Sequence, residues 1–526
     1  MRLQNIKEFK NKKVLVVGLG VSGRSVIEKI AGYTKSIIAV DSNPYLNIKD
    51  EFNYLKKIKD FNFEVVIDEN INKKRKILKD VDFIIVSPGV PNDIYLLKKA
   101  DSLGIPVFSE MELGWRLLSK KEKENTIAVT GTNGKTTVVT LITKILNDAN
   151  LNAISCGNIG NPLISTIKNG STIKNVNTNE DVSTIENVVK FEDINKYDSN
   201  LIRVMEVSSF QLERIYSFNP KVGIILNITS DHLDRHHSME NYAKIKFNLF
   251  KNANKKNWAI LNLDDEYINK IIEEKNYFDK CPFNLIGFSL DFSNQKACLK
   301  FKDSEVFYNF AHNNFVYNYR NNYNAYSGKV NLEGISLRGM HNVLNIMASI
   351  AALKIFNVND QLIESSLRNF NTLEHRIEYV GEVDGVKVYN DSKATNPDAT
   401  IKALESFERE VTLILGGKDK EMDFSILLPV MDKKVLNLIL IGETKLKILK
   451  TIKSYSKYVS GLPYNIYLCD NFNDAVEKGL AVTEKGKVLL LSPACASFDM
   501  FKDYKDRGKK FKNLVLNKLN EKNESK

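Results

Sequence analysis

Short, mostly apolar runs, separated by longer stretches of mixed character, set the pattern of this chain. Before residue 120 the runs Lys13–Val17, Ile37–Val40 and Phe83–Val86 alternate with segments of helical character. Strands that alternate with helices predict a parallel α/β sheet. The alternation resumes with LIRVMEVSS and VGIILNIT, and again with EVTLILGG, LNLILIG and KVLLLSP. Three α/β domains in series are therefore expected.

Two joints divide them. The polar run SKKEKEN (Ser119–Asn125) directly precedes a new strand, and near NFNTLEHR (Asn369–Arg376) a helical pattern gives way to the strand-like IEYVGEVDGVKVYN. The expected domains span 1–120, 121–374 and 375–526. Two stretches interrupt the pattern. Lys168–Asn200, rich in Asn, Ser, Thr and charge, reads as an insertion or mobile surface loop. The Asn- and Tyr-rich run Asn309–Asn324 reads as strands of a small sheet, with aromatic stacking on bases as the alternative.

Length agrees with this division, since 526 residues exceed what one core serves and about 150 residues per domain gives about three. The net charge of +11 is spread along the chain rather than gathered in one basic block, which argues against a nucleic-acid footprint. The five cysteines form no C-x-x-C pair, so neither a zinc site nor a disulfide framework is indicated. No apolar run reaches membrane-span length, and MRLQNIKEFKNKK has no signal-peptide core. A cytoplasmic protein without membrane insertion is expected.

The chemistry begins at two glycine loops. VLVVGLGVSGRS places Gly18, Gly20 and Gly23 in G-x-G-x-x-G spacing after a strand, with Asp41 ending the next strand. TIAVTGTNGKTTVVT (Thr126–Thr140) runs from a strand through Gly131 and Gly134 into Lys135, Thr136 and Thr137. Such a loop closes backbone N–H groups around phosphate oxygens, with a lysine to neutralise charge and a hydroxyl to reach a metal. Its spacing departs from the common form, because Val129 stands where the first glycine would be. A hydride transferase has no use for this second loop, so the first is expected to hold the diphosphate of a nucleotide-tagged substrate.

Around the second loop, EVSSFQLE offers Glu206 at a strand end as a Mg²⁺ ligand, and LNITSDHLDRHH offers His232. The structural alternative is a solvated strand-end acid for Glu206 and a hydrogen-bonding core residue for His232, the latter the commoner use of a lone histidine. Lys246 shares a helical stripe with Met239, Tyr242, Leu249 and Phe250. Such a lysine snorkels to water, or, if desolvated, has a lowered pKa and a nucleophilic amine that carbon dioxide converts to a carbamate. In the last segment VYNDSKATNPDAT supplies Asp391, Ser392, Lys393 and Thr395. LGGKDKEMDF supplies Lys418 and Lys420, and LLSPACASFDMFKDYKDRGKKF places Ser497 at an expected helix start.

These motifs together resemble the Mur ligases, ATP-dependent amide-forming enzymes of peptidoglycan precursor synthesis. VTGTNGKTT is common to that family and to folylpolyglutamate synthases; GNIGNP, EVSSFQLE, NDSKATN and SPACASFDMFKDYKDRG are narrower and resemble its D-glutamate-adding branch. The resemblance covers the whole chain except Lys168–Asn200 and parts of Lys251–Asn331. It implies a Rossmann-like N-terminal domain, a central P-loop-type ATPase domain on a mainly parallel sheet and a Rossmann-like C-terminal domain. It also implies a monomer that joins D-glutamate to UDP-N-acetylmuramoyl-L-alanine through an acyl phosphate.

The same resemblance assigns residues. Gly131, Thr132, Asn133, Gly134, Lys135, Thr136 and Thr137 would hold ATP, with Asn342, Asn345, Arg376 and Asp391 at its adenosine and phosphates. Two Mg²⁺ ions are implied, one at Thr136 and Glu206, the other at His232 and a carbamate formed by carbon dioxide on Lys246. Gly18, Gly20, Ser22, Gly23, Asp41, Ser87, Pro88 and Gly89 would hold the UDP moiety, and Asn158, Ser208 and Gln211 would face the muramoyl-alanine part. Thr395, Lys420, Ser497 and Tyr504 would take D-glutamate, with Lys135, Lys246, His232 and Lys393 in catalysis. A ligase with another acceptor, including a folylpolyglutamate synthase, is the alternative, although that enzyme gives no reason for the first glycine loop.

Overall fold

The computed structural model describes residues 9–523 except 32, 45, 47–50, 53–54, 56–57, 59–60, 72–74, 168–199, 277–281, 291–308, 312–313, 321–324, 334, 336, 338, 371–373, 408–409 and 457–461. Nearly all of the expected insertion Lys168–Asn200 thus lies outside the described residues. The first sheet comprises β1 (Lys13–Val17), β2 (Ser36–Asp41), β3 (Asn62–Ile67), β4 (Phe83–Val86) and β5 (Val107–Ser109). They run parallel in the order β3-β2-β1-β4-β5. The apolar pattern picks out β1, β2 and β4, which are buried along nearly their whole length, but not the half-exposed β3 or the three-residue β5.

The central sheet holds β6 (Thr126–Thr130), β7 (Ala153–Gly157), β8 (Ile202–Glu206), β9 (Val222–Ile225), β10 (Trp258–Asn262) and β11 (Asn284–Phe288). All six are parallel, in the order β11-β10-β9-β6-β8-β7. Successive residues of a strand face opposite sides, and the core divides accordingly. Ile127, Val129, Val204 and Ile224 pack with the helices Lys135–Asp148 and Met340–Ile355, while Ala128, Met205, Ile225 and Ala259 pack with Tyr242 and Phe247 of the helix Met239–Phe247. Helices therefore cover both faces, and the strands' C-terminal ends are left to bind ligands. The Asn/Tyr-rich run forms strands, as read: β12 (Asn309–Ala311), β13 (Asn314–Arg320) and β14 (Ala325–Asn331) make a small antiparallel sheet.

The last sheet comprises β15 (Glu378–Val383), β16 (Val386–Asn390), β17 (Val411–Leu415), β18 (Val435–Leu440), β19 (Asn465–Leu468) and β20 (Val488–Leu491), ordered β15-β16-β20-β17-β18-β19. Only β15 is antiparallel, paired with β16 as a hairpin at the edge.

Two local readings are corrected. Ser119–Asn125 is more than a polar joint, because it folds into the helix Lys120–Glu124 with a complete capping box between Ser119 and Glu122. Ser497 does not start a helix. It opens a turn, with its carbonyl accepting from Met500 and Phe501 amides, and the helix begins only at Tyr504. Among the described residues no helix is long and apolar enough to cross a membrane.

Candidate active site

The first glycine loop joins β1 to the helix Val21–Ile30. A Cβ on Gly23 would meet the Gly18 carbonyl oxygen at 2.0 Å, so the last glycine lets the helix pack against the turn. Asp41, at the end of β2, accepts from the Leu19 amide at 2.7 Å, and the Ser87 hydroxyl donates to the Gly18 carbonyl at 2.7 Å. The neighbouring strands thus brace the loop. Gly18, Gly20, Ser22, Asp41, Ser87, Pro88 and Gly89 line one cavity of about 410 Å³, and Gly23 stands behind it.

The second loop leaves β6 and enters the helix Lys135–Asp148 through Gly134, whose φ is 86° and whose Cβ would meet Asn345 Oδ1 at 2.3 Å. Only glycine suits that position. The loop is tied to the segment after β9. Asn227 accepts from the Asn133 amide at 2.8 Å, and Thr132 Oγ1 donates to the Thr229 carbonyl at 3.0 Å. Lys135 Nζ folds back onto the carbonyls of Gly131 and Thr132, each at 2.7 Å. Asn342 and Asn345, bonded to each other at 3.1 Å, rise from the first turns of the helix Met340–Ile355.

Glu206, buried at the end of β8, collects the next residues. Thr136 Oγ1 donates to it at 2.6 Å and Asn158 Nδ2 at 3.0 Å. Lys246 is 1% exposed, donates to the Gly131 carbonyl at 3.0 Å and lies 4.4 Å from the Tyr242 ring centroid. Burial, and then the charge of Lys135, hold its amine well below the usual lysine range. The helix carrying it ends at Phe247; Leu249 and Phe250 of its apolar stripe belong to a 3₁₀ turn. His232 takes a left-handed conformation and stands 3.7 Å from Asp231. Ser208 and Gln211 form the capping box of a short helix, and Gln211 is buried.

The third domain completes the site from across the interface. Lys393 Nζ donates to Thr136 Oγ1 at 2.5 Å, and burial followed by the Arg376 charge brings its amine down to about 7. Asp391, buried and bonded by Ser492 at 2.8 Å, is raised to about 7, mainly by burial. Arg376, His341, Asn345, Asp391 and Lys393 line one small cavity with Asn133 and Gly134. Ser392 Oγ donates to the Tyr504 carbonyl at 2.8 Å, and the buried Ser497 lies in the turn before that helix. Thr395 and Lys420 are half-buried.

Lys135, Lys246, Lys393 and Arg376 thus crowd around one loop beside Glu206, Asp231 and Asp391. Burial lowers the pKa of each of these four cations, a state that a bound polyanion relieves. Three polar atoms there are buried without a hydrogen-bond partner: Asp231 Oδ1, Arg376 Nε and Thr137 Oγ1. Orphaned groups of this kind are rare in protein interiors and common where a ligand belongs. Asp231 and His341 were not singled out from sequence. Asp231 adjoins His232 in the same motif, whereas His341 carries no local mark, and burial takes its imidazole down to about 3.

Comparison with known proteins identifies the family. Three family signatures match consecutive segments: Mur ligase MurD-like, N-terminal domain over residues 12–109, Mur ligase middle domain over 129–353, and Mur ligase, glutamate ligase domain over 375–495. The UDP-N-acetylmuramoylalanine--D-glutamate ligase of Caldanaerobacter subterraneus is 35% identical over 97% of this chain and 99% of its own length. The protein of that name from Clostridioides difficile is also 35% identical, over 97% and 99%. A crystal structure of MurF ligase from Thermotoga maritima in complex with ADP shares the fold at TM-score 0.52 and 14% identity, covering 99% of this chain and 97% of that one. With such identity to proteins matched almost end to end, the chain belongs to the Mur ligase family.

Proposed function

We propose that this protein is an ATP-dependent acid–amino-acid ligase that joins D-glutamate to UDP-N-acetylmuramoyl-L-alanine in peptidoglycan precursor synthesis, releasing ADP and phosphate. The observation that carries the reading is the near full-length identity to ligases named for that reaction. The site supports it chemically, with one glycine loop lining a cavity of its own and a second loop ringed by cations whose pKa values desolvation lowers.

In this reading the first cavity takes the UDP end of the substrate, and Asn158 and Ser208 face the part that carries the alanine carboxylate. That carboxylate attacks the γ-phosphate, the bond to the β,γ-bridging oxygen breaks, ADP leaves and the carboxylate becomes an acyl phosphate. Lys135 and Lys393 balance the charge that accumulates as two anions meet. The neutral amine of D-glutamate, its carboxylates held near Thr395, Lys420, Ser497 and Tyr504, then attacks the acyl carbon, and phosphate leaves. Asn342, Asn345, Arg376 and Asp391 border the adenosine end of ATP. The third domain, closed over the loop, keeps water from the acyl phosphate.

Mg²⁺ fits the donor set. The Thr136 hydroxyl and Glu206 carboxylate stand 2.6 Å apart, and hard oxygens of this kind suit the ion. Among the described residues no three His, Cys, Asp or Glu side chains form a metal site by themselves. The ion would therefore complete its shell with phosphate oxygens and water, and when bound it neutralises phosphate charge. A second ion would be held by His232 and a carbamate on Lys246, whose buried and readily deprotonated amine is the form that carbon dioxide captures.

The test is phosphate release with Mg²⁺-ATP and UDP-N-acetylmuramoyl-L-alanine, scanned over D-glutamate, L-glutamate, L-lysine and meso-diaminopimelate, with product mass read in parallel. Release that requires D-glutamate, with the mass of the UDP-muramoyl dipeptide, is expected. Joining of another amino acid would overturn the D-glutamate assignment and leave the ligase chemistry standing.

A further inference from the structure

Among the described residues, three side chains of the third domain hydrogen-bond to the second glycine loop or its surroundings. Lys393 bonds Thr136, and Asn396 approaches Asp231 at 3.5 Å; both partners belong to the phosphate and metal surroundings. The third, Asp398, meets a different set of groups. It is the second residue of the helix Pro397–Glu405, which is capped by Asn396 and opened by a proline, so its carboxylate sits at the positive end of the helix. One oxygen, Oδ2, accepts from Asn133 Nδ2 at 2.6 Å, Thr229 Oγ1 at 3.0 Å and, one turn along its own helix, Lys402 Nζ at 2.8 Å.

Thr229 is in turn bound to the loop. Its carbonyl accepts from Thr132 Oγ1 and its amide donates to the same hydroxyl, each at 3.0 Å. Asp398 therefore holds two consecutive loop residues, Asn133 directly and Thr132 through Thr229. The cavity between the two domains beside these contacts, lined by Asn133, Asn345, Arg376, Asp391 and Lys402, is about 80 Å³. Ordinary ligand pockets begin near roughly 300 Å³. A nucleotide consequently enters while the third domain stands away from the central one, and the Asp398 bonds form as the domains come together.

We infer that Asp398 is the latch of domain closure, a positioning residue that grips the phosphate loop through Asn133 and Thr229 and so holds the loop and the third domain in the reactive arrangement. The inference rests on the ligase reading for its kinetic consequence, while its conformational consequence is independent of that reading. Because the latch engages after the substrates are bound, removing it lowers kcat and leaves KM for the UDP-linked substrate unchanged.

The experiment compares full-length wild type with Asp398→Ala, Asp398→Asn and Glu405→Ala, the last altering an exposed residue of the same helix. Small-angle scattering is recorded with and without Mg²⁺ and a non-hydrolysable ATP analogue, and kcat and KM are measured in parallel. With Mg²⁺ and the analogue present, Asp398→Ala is expected to have a larger radius of gyration than wild type, and in turnover a kcat lower by about 30-fold, the effect of losing one charge-assisted contact set. Asp398→Asn, which keeps an acceptor oxygen, should lose about fivefold, and Glu405→Ala should match wild type in both readouts. If Asp398→Ala does not fold, Asp398→Asn carries the comparison. An unchanged radius of gyration in the presence of Mg²⁺ and the analogue overturns the latch, as does an unchanged kcat or a loss confined to KM for the UDP-linked substrate. Should wild type show no ligase activity, the proposed function fails, and the scattering difference alone still decides the latch.

Discussion

The two glycine loops begin alike, each a buried strand that turns through glycines into a helix at the C-terminal edge of a parallel sheet. Their surroundings differ. The first is finished within its own domain, where Asp41 and Ser87 brace it from neighbouring strands. The second is unfinished until another domain arrives: Thr136 is met by Lys393 from 257 residues away, and Asn133 by Asp398 from 265. The first loop borders a cavity of about 410 Å³, the second a smaller one of about 80 Å³ whose lining includes Arg376, Asp391 and Lys393, charged groups with displaced pKa values. A loop completed locally suits steady binding, whereas one completed across an interface makes its chemistry conditional on closure.

Breaking the second loop should therefore cost turnover, and the largest effect is expected at its lysine. Lys135→Ala should lower kcat by about 1,000-fold in a phosphate-release assay, because in the proposed reaction it removes a charge that balances the meeting anions. Next comes Lys246→Ala, with an expected loss of about 100-fold, the scale on which metal-supporting groups act. Wild-type activity should also fall in buffer stripped of carbon dioxide and return with bicarbonate. Activity indifferent to carbon dioxide would remove the carbamate from the mechanism while leaving Lys246 its bond to the Gly131 carbonyl.

The first loop should answer differently. Asp41→Asn weakens the acceptor that fixes the Leu19 amide, so KM for the UDP-linked substrate should rise about tenfold with kcat nearly constant. Steady-state kinetics that showed the reverse split would blur the distinction between a binding loop and a reacting one.

How much of this was legible in the sequence follows the same division. Strands buried on both faces, such as FIIV at Phe83–Val86, are plain because every position is apolar, whereas β3 mixes exposed with half-buried residues and leaves a weaker mark. Both glycine loops are local motifs whose spacing carries their meaning. Asp398 carries no such mark: an acid in the first helical turn is ordinary helix chemistry, and only the folded chain sets it against Asn133. The unpaired oxygen of Asp231 and the stacking of four cations around one loop are likewise products of tertiary packing. Ser497 shows the opposite failure, since a favourable run for a helix start is used as a turn and the helix waits for Tyr504.

The smallest expected effect concerns stability, and it tests the buried charges of the second region directly. Asp391 has its carboxyl raised to about 7 in the folded protein, mainly by burial. Between about pH 4 and 7 the folded state therefore binds more protons at this site than the unfolded chain, and this site's contribution to stability falls as pH rises through that window. Lys393, brought down to about 7 by burial and Arg376, works above it. From about pH 7 to 10 the unfolded chain holds the extra proton, so stability gained from this site rises with pH. Asp391→Asn should flatten the acid-side fall, and Lys393→Met the alkaline-side rise, each by about 2–4 °C in Tm for every kcal/mol removed in a domain of this size. Thermal unfolding of the three proteins from pH 4 to 10 decides it, and a parallel offset of either variant at all pH values would mean that the side chain packs there without titrating.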